Sequence, residues 1–487
     1  MLRRLGVLTT AIMATLCALG QERPVPADTD YLRVVRAYAD ALLAKGRDTY
    51  GPTHSPLFAV SLDRETGLPG LNAPIEGIRP NDRMATGANP MHDENLYQIL
   101  YALSTLTGDD AYAREADRTL TWFFEHCQSP ATGLLAWGEH IGWDFYTERP
   151  IDKPQGDTHE FFRPWVLWKR SYALAPDACA RFAHGLWDHQ IDDRTTGEFS
   201  RHAHWSSHGT GGDNEYPRHG GFFIAAWAEA YEHTHDAVFL TAIETLVDYY
   251  NASSSRTTGA IPCSSNPDRA AIMWPESNLS LAVDLWDHAP LVPEAIGAKM
   301  RERANKTDAV FLKLSHDFSP NGIGFVSGAH IDTLGPLEEG HWTHTQLWAT
   351  SYGKVTDAQE AMLCHLRYRQ VRLAGYRALI LGAAQRYLDT EPDASVPLFP
   401  GAFGDVIFLM LAANDLTGEV RYLDRADFFA RRALDLFLDK GPLPRASTMN
   451  DHYEAITRAD TLMMALLDLW AVRHGRADAC PFICCDR

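Results

Sequence analysis

His, Arg, Tyr and Trp gather in a few loop-like segments of this chain. One holds Trp137, Glu139, His140, Trp143 and Tyr146 and ends in Asp157-Thr158-His159-Glu160. The richest runs Arg201-His202-Ala203-His204-Trp205, then His208, then Asp213-Asn214-Glu215-Tyr216-Pro217-Arg218-His219. Asn266, Asp268, Arg269, Trp274 and Glu276 make a third, and His330, Glu338, Glu339, His341 and His344 a fourth. Aromatic faces suit the faces of sugar rings, and Arg offers a planar fork to a carboxylate. These residue types together point to a cleft for a charged sugar.

Other chemistries use the same residues. Asp157, Asp213, Glu215 and Glu276 supply carboxylates from which a glycoside hydrolase takes two across a cleft. His202-Ala-His204 with His208, or Asp157 with His159, are divalent-ion alternatives, but no closed ligand set emerges, so no metal and no cofactor is assigned. A non-catalytic sugar-binding protein is a third class. No Gly-x-Ser-x-Gly nucleophile elbow occurs.

The elements that must position these residues show in a repeat. Thr66-Gly67, Thr132-Gly133, Thr196-Gly197 and Thr258-Gly259 each follow a helix-like segment, and Asn321-Gly322 fits the same place, at steps of 66, 64, 62 and 63 residues. A fixed period marks repeated supersecondary units. Gly108 to Tyr112, His235 to Phe239 and Gly418 to Tyr422 fill a second slot of the same period, a polar turn between two amphipathic helices. The pattern is a helical hairpin with a tight turn at one end and a long loop at the other. Apolar positions at i, i+3, i+4 and i+7 predict fourteen helices in seven pairs. Among them are Glu160 to Leu174, His341 to Ser351, a single helix Asp357 to Leu388, and Asp451 to His474. The expected architecture is an all-α toroid with short β segments in the long loops, and the chemistry-bearing loops share one face.

Composition bounds the rest. The chain has 487 residues, 45% of them hydrophobic, enough for a large core. Its formal charge is −19, or −21 without Arg3 and Arg4, which argues against nucleic acid. An acidic polysaccharide then needs a local Arg cluster against the global field. Residues 1 to 20 read as a signal peptide: Arg3-Arg4, the apolar run Leu5 to Leu19, and Ala18-Leu19-Gly20 as the cleavage site. The expectation is a secreted or periplasmic protein with one catalytic domain over 21 to 487 and no membrane association after cleavage. Cys480, Cys484 and Cys485 could form a disulfide in an oxidising compartment.

The hairpin repeat, the leader and the aromatic, His-rich loops resemble the α/α-toroid polysaccharide lyases, above all the seven-hairpin glucuronan and alginate types. They also resemble the six-hairpin, glycosidase-like unsaturated uronyl hydrolases. The resemblance implies β-elimination on a uronate polymer, with hydrolysis of uronyl oligosaccharides as the alternative. In the lyases an Asn or His and an Arg neutralise the uronate carboxylate, a His or Tyr takes the C5 proton, and a Tyr protonates the leaving oxygen. Carried onto this chain, His219 is the base, Tyr216 the donor and Arg269 the carboxylate partner, with Asn214 and His159 as further carboxylate candidates. Trp137, His140, Arg201, His208, Arg218, Trp274 and His341 are the expected substrate-binding residues. His159, His208, Asn214, Tyr216, His219 and Arg269 are expected to converge on one cleft.

Overall fold

The computed structural model describes residues 30–69, 74–151, 157–209, 215–338, 343–484 and 486–487. The leader, Asp213, Asn214, Glu339, His341 and Cys485 lie outside the described residues. Fourteen α-helices are found among those described: α1 Tyr31–Lys45, α2 Glu94–Thr107, α3 Ala111–His126, α4 Trp168–Leu174, α5 Pro176–His189, α6 Pro217–Thr234, α7 Ala237–Ser253, α8 Pro275–His288, α9 Glu294–Phe311, α10 Asp357–Val371, α11 Ala374–Leu388, α12 Pro400–Thr417, α13 Val420–Phe437 and α14 Ala459–Arg473. The even-numbered helices form an inner ring. Within it α6, α8, α10, α12, α14 and α2 follow one another side by side, and α4 packs on α6. The odd-numbered helices form the outer ring, and α1 closes it against α14. This is the expected α/α toroid of seven hairpins.

Burial follows the rings. Every residue of α12 from Pro400 to Asn414 is buried, as an inner helix packed on both sides requires. The outer α13 buries only one stripe, including Tyr422, Ala426, Phe429, Ala430, Ala433 and Phe437. One hydrophobic core runs through both rings, from Tyr31 to Cys480.

The two sequence repeats are two kinds of turn. Gly108, His235 and Gly418 cap α2, α6 and α12 in the left-handed region, at φ of 75°, 56° and 72°. Each amide returns to the carbonyl four residues earlier. Gly67, Gly133, Gly197 and Gly259 are also left-handed. Their amides bond Asp63, Ser129, Asp193 and Ser255, at 2.8 to 3.0 Å. In the fifth slot Gly324 takes the left-handed role, not Gly322.

Four expected helices are corrected. Asp357 to Leu388 is two helices, because Arg372 caps α10 in the left-handed region at φ 56°. An Arg there carries no turn signal in the sequence. Residues 343 to 351 are irregular, tied by bridges Val326↔His344 and Gln346↔Thr356. Glu160 ends a strand, Thr158–Glu160, and α4 starts only at Trp168. Likewise Tyr453–Glu454 is a strand before α14, and it pairs with Ser61–Leu62 to tie the last long loop to the first. Cys480 and Cys484 are unbonded thiols.

Asp468 on α14 gives a pH test of the packing. Burial alone pushes its carboxyl from 3.8 to about 7. The folded protein therefore holds a proton that the unfolded chain releases, so this group's contribution is complete below pH 4 and is lost as pH rises through 7. Asp468→Asn should raise stability at pH 8 by about 1–3 kcal/mol and leave it unchanged at pH 4. Denaturant melts at the two pH values check this, and equal effects at both would contradict it.

Candidate active site

The site is built on one pair of strands. Thr158–Glu160 runs antiparallel to His202–His204, with Glu160 opposite His202 and His159 opposite Ala203. Alternation sends Glu160 and His202 to one face and His159 to the other. Glu160 is 1% exposed and is the hub of the cluster. Its Oε2 lies 2.7 Å from His202 Nε2 and 3.3 Å from His140 Nε2, and its Oε1 lies 2.9 Å from His219 Nε2 and 3.0 Å from Arg201 Nε. Burial alone raises the Glu160 pKa. The bonds from His140, His202 and His219, with the Arg201 charge, outweigh that and hold it well below the carboxylate range.

His140 and Glu139 reach this hub from a neighbouring loop. Burial lowers the His140 pKa, but Asp82, Glu160 and Glu139 raise it to about 10. Glu139 is pushed up to about 7 by burial and by the Glu160 charge. The loop touches the strand through Gly138, at φ 133°, where an added Cβ would stand 2.2 Å from the Glu160 carbonyl oxygen. Gly138→Ala should therefore displace His140 and lower turnover at least about tenfold while leaving helix content unchanged. Unaltered kinetics would contradict that role.

His140, Glu160 and His202 offer three ligand atoms within 4.8 Å of one another. Two imidazoles and a carboxylate suit a divalent transition-metal ion. The supports fit too: His140 Nδ1 lies 3.4 Å from Asp82 Oδ1, and His219 Nε2–H donates to Glu160 Oε1, the oxygen that Arg201 also contacts. Neither metal set considered from the sequence forms. His204 pairs with Asp157 at 3.0 Å and the exposed His208 with Asp192 at 3.7 Å. His159 turns inward to Gln190, at 3.1 Å.

Beside the hub is a cationic cluster around Tyr216, the N-cap of α6. The Arg201 guanidinium lies 4.2 Å from the Tyr216 ring centre, and the Trp274 ring 4.7 Å from it. Arg269 donates to the Tyr216 hydroxyl. Arg218, 3.9 Å from Glu276, leads into a cavity of about 170 Å³ at the centre of the toroid. The N-terminal ends of α6, α8, α10, α12 and α14 all open on this cavity, and their dipoles favour an anion there.

The structure thus brings together His140, Arg201, Tyr216, Arg218, His219, Arg269 and Trp274. It keeps three expected residues away. His159 is fully buried on the far side of its strand, and burial lowers its pKa to about 4. His208 is exposed on the outer side of the loop, and Trp137 is fully buried among Phe123, Phe161 and Trp165. His219 is near Tyr216 but 0% exposed, so it cannot meet a substrate carbon, and burial lowers it to about 3 despite Glu160. Sequence reasoning missed Glu160, Asp82 and Glu139 as site residues. Reading Thr158-His159-Glu160 as a strand opposite His202-Ala-His204 would have found Glu160.

Comparison with known proteins follows this geometry. The periplasmic pectate lyase family matches residues 55–259. The pectate disaccharide-lyase of Dickeya dadantii (strain 3937) is 22% identical over 179 residues, which are 36% of this chain. The match spans 31% of that curated relative's length. Among solved structures, an unsaturated glucuronyl hydrolase specific for heparin has a TM-score of 0.48 at 11% identity, covering 91% of this chain and 98% of that one. The cellobiose 2-epimerase from Bacillus thermoamylovorans has a TM-score of 0.49 at 8% identity, covering 89% and 98%. The chain is an α/α toroid resembling the toroid polysaccharide lyases, and its match to the periplasmic pectate lyase family contains His140, Glu160, Arg201, His202 and Tyr216.

Proposed function

We propose that this chain is an exported lyase that cleaves a polyuronate, pectate foremost, by β-elimination. The carrying observation is the ionised Glu160 between His140 and His202, set against Arg201 and Arg269 around Tyr216. The family and relative named above support both the reaction and the substrate. The leader at residues 1 to 20 supports export, and no helix among the described residues is long and apolar enough to cross a membrane. Residues 21 to 487 then act as one catalytic domain.

The chemistry follows from the residues. The C5 proton of a uronate is weakly acidic, and neutralising the adjacent carboxylate stabilises the carbanion-like transition state. Arg201 and Arg269 supply that charge, and Arg218 holds a neighbouring carboxylate at the cavity mouth. A divalent cation held by His140, Glu160 and His202 would draw further electron density from the carboxylate. Tyr216, held between the two guanidiniums, carries the proton. The C5 proton passes to the Tyr216 oxygen, the C5–H electron pair becomes the C4=C5 double bond, the C4–O bond breaks, and Tyr216 returns the proton to the leaving oxygen. His219 is a positioning residue that fixes Glu160.

Glu139, raised to about 7 beside ionised Glu160, is the feature that favours a hydrolase instead. The purified protein should produce the absorbance of an unsaturated uronate on polygalacturonate, and chelation should remove it. Saturated sugar ends that depend on Glu139 would contradict the lyase.

A further inference from the structure

We propose that Asp486 and Arg487 plug the bore of the toroid and thereby confine cleavage to chain ends. The inference rests on the lyase reading and adds its mode of action. Asp486 is anchored on one side of the inner ring. Its carboxylate takes hydrogen bonds from Thr461 of α14 at 2.5 Å and Asn95 of α2 at 3.3 Å, and pairs with Arg163 at 3.2 Å and Arg458 at 3.6 Å. Arg487 is anchored on the other side. It donates to Asp284 at 2.6 Å and to the Ser280 carbonyl at 3.1 Å, both on α8.

In the ring, α8 stands across from α2 and α14. Two helices separate them on one side, α10 and α12, and two on the other, α4 and α6. Two consecutive residues bonded to opposite walls must cross the bore. Both also line the central cavity. Ser280 and Asp284 lie five and nine residues beyond Pro275, the first residue of α8. At the helical rise the floor is therefore roughly 8–13 Å below the rim. A polymer cannot thread such a floor, so a chain seated in this cavity enters it by its end. The plug's carboxylate is ion-paired with both Arg163 and Arg458.

The test is the product profile of the full chain on polygalacturonate, with viscosity followed in parallel. The wild type should release one short unsaturated product from the first time points, with viscosity falling slowly. Arg487→Ala and Asp486→Ala should shift products to longer chains while retaining unsaturated-product formation, and Arg487→Lys should restore the short product. A wild type that gives mixed lengths with a rapid loss of viscosity overturns the plug alone, as do folded variants with unchanged products. If neither variant melts cooperatively, polymer blocked at both ends decides. Turnover equal to that of open chains overturns the proposal, and loss of turnover supports it. Absence of any unsaturated product from the wild type overturns the lyase reading and the plug together.

Discussion

Replacing Glu160 with Gln should lower turnover on polygalacturonate by about 10³-fold or more. Gln keeps the volume of the side chain but removes its charge, and its amide group donates where the carboxylate accepts. Glu160 takes four contacts at once, from His140, His202, His219 and Arg201. Loss of the charge leaves three imidazoles and a guanidinium without their common anion. The same change should abolish tight binding of a divalent ion, since one of three converging ligand atoms is altered. Adding metal back after chelation should restore the wild type and not the variant. Calorimetry with the metal ion alone, beside steady-state kinetics, separates binding from turnover. A variant with wild-type kinetics would remove Glu160 from the site.

Arg201→Ala carries the second large effect, a loss of about 10²–10³ in kcat/KM. Arg201 reaches both Glu160, at 3.0 Å, and the Tyr216 ring, at 4.2 Å. Lys should not rescue it, because a point charge lacks the planar fork that spans the two partners. Tyr216→Phe should lose about 10²-fold, mostly in kcat, because it deletes the proton carrier and keeps the ring. Arg269→Ala should act mainly on KM, since the exposed Arg269 holds the Tyr216 hydroxyl from the rim. A Phe variant with full kcat would move the proton transfer to another group.

The toroid was legible because its turns repeat. Glycines in the left-handed region recur at nearly fixed steps, and in the first four long-loop turns an Asp or Ser stands four residues before the Gly. The split at Arg372 was hidden because an Arg took the position usually marked by Gly. The site was legible as a set of loops but not as a set of ligands. His140, Glu160 and His202 come from separate segments, and only the register of two three-residue strands sets Glu160 against His202. Such short strands leave no periodic signal in the sequence. Reading Glu160 as the start of a helix also hid the alternation that turns His159 inward. Trp137 misled for a different reason: aromatic residues pack cores as readily as they stack on sugars, and Trp137 lies in a cluster with Phe123, Phe161 and Trp165.

The most direct measurement is mass spectrometry of the products formed from polygalacturonate in water enriched in heavy oxygen. Elimination breaks the C4–O bond without adding water, so each cut should yield one unsaturated fragment lighter by one water than its saturated counterpart, with no label at its C4. Heavy oxygen incorporated at the new end, with saturated fragments one water heavier, would contradict the account.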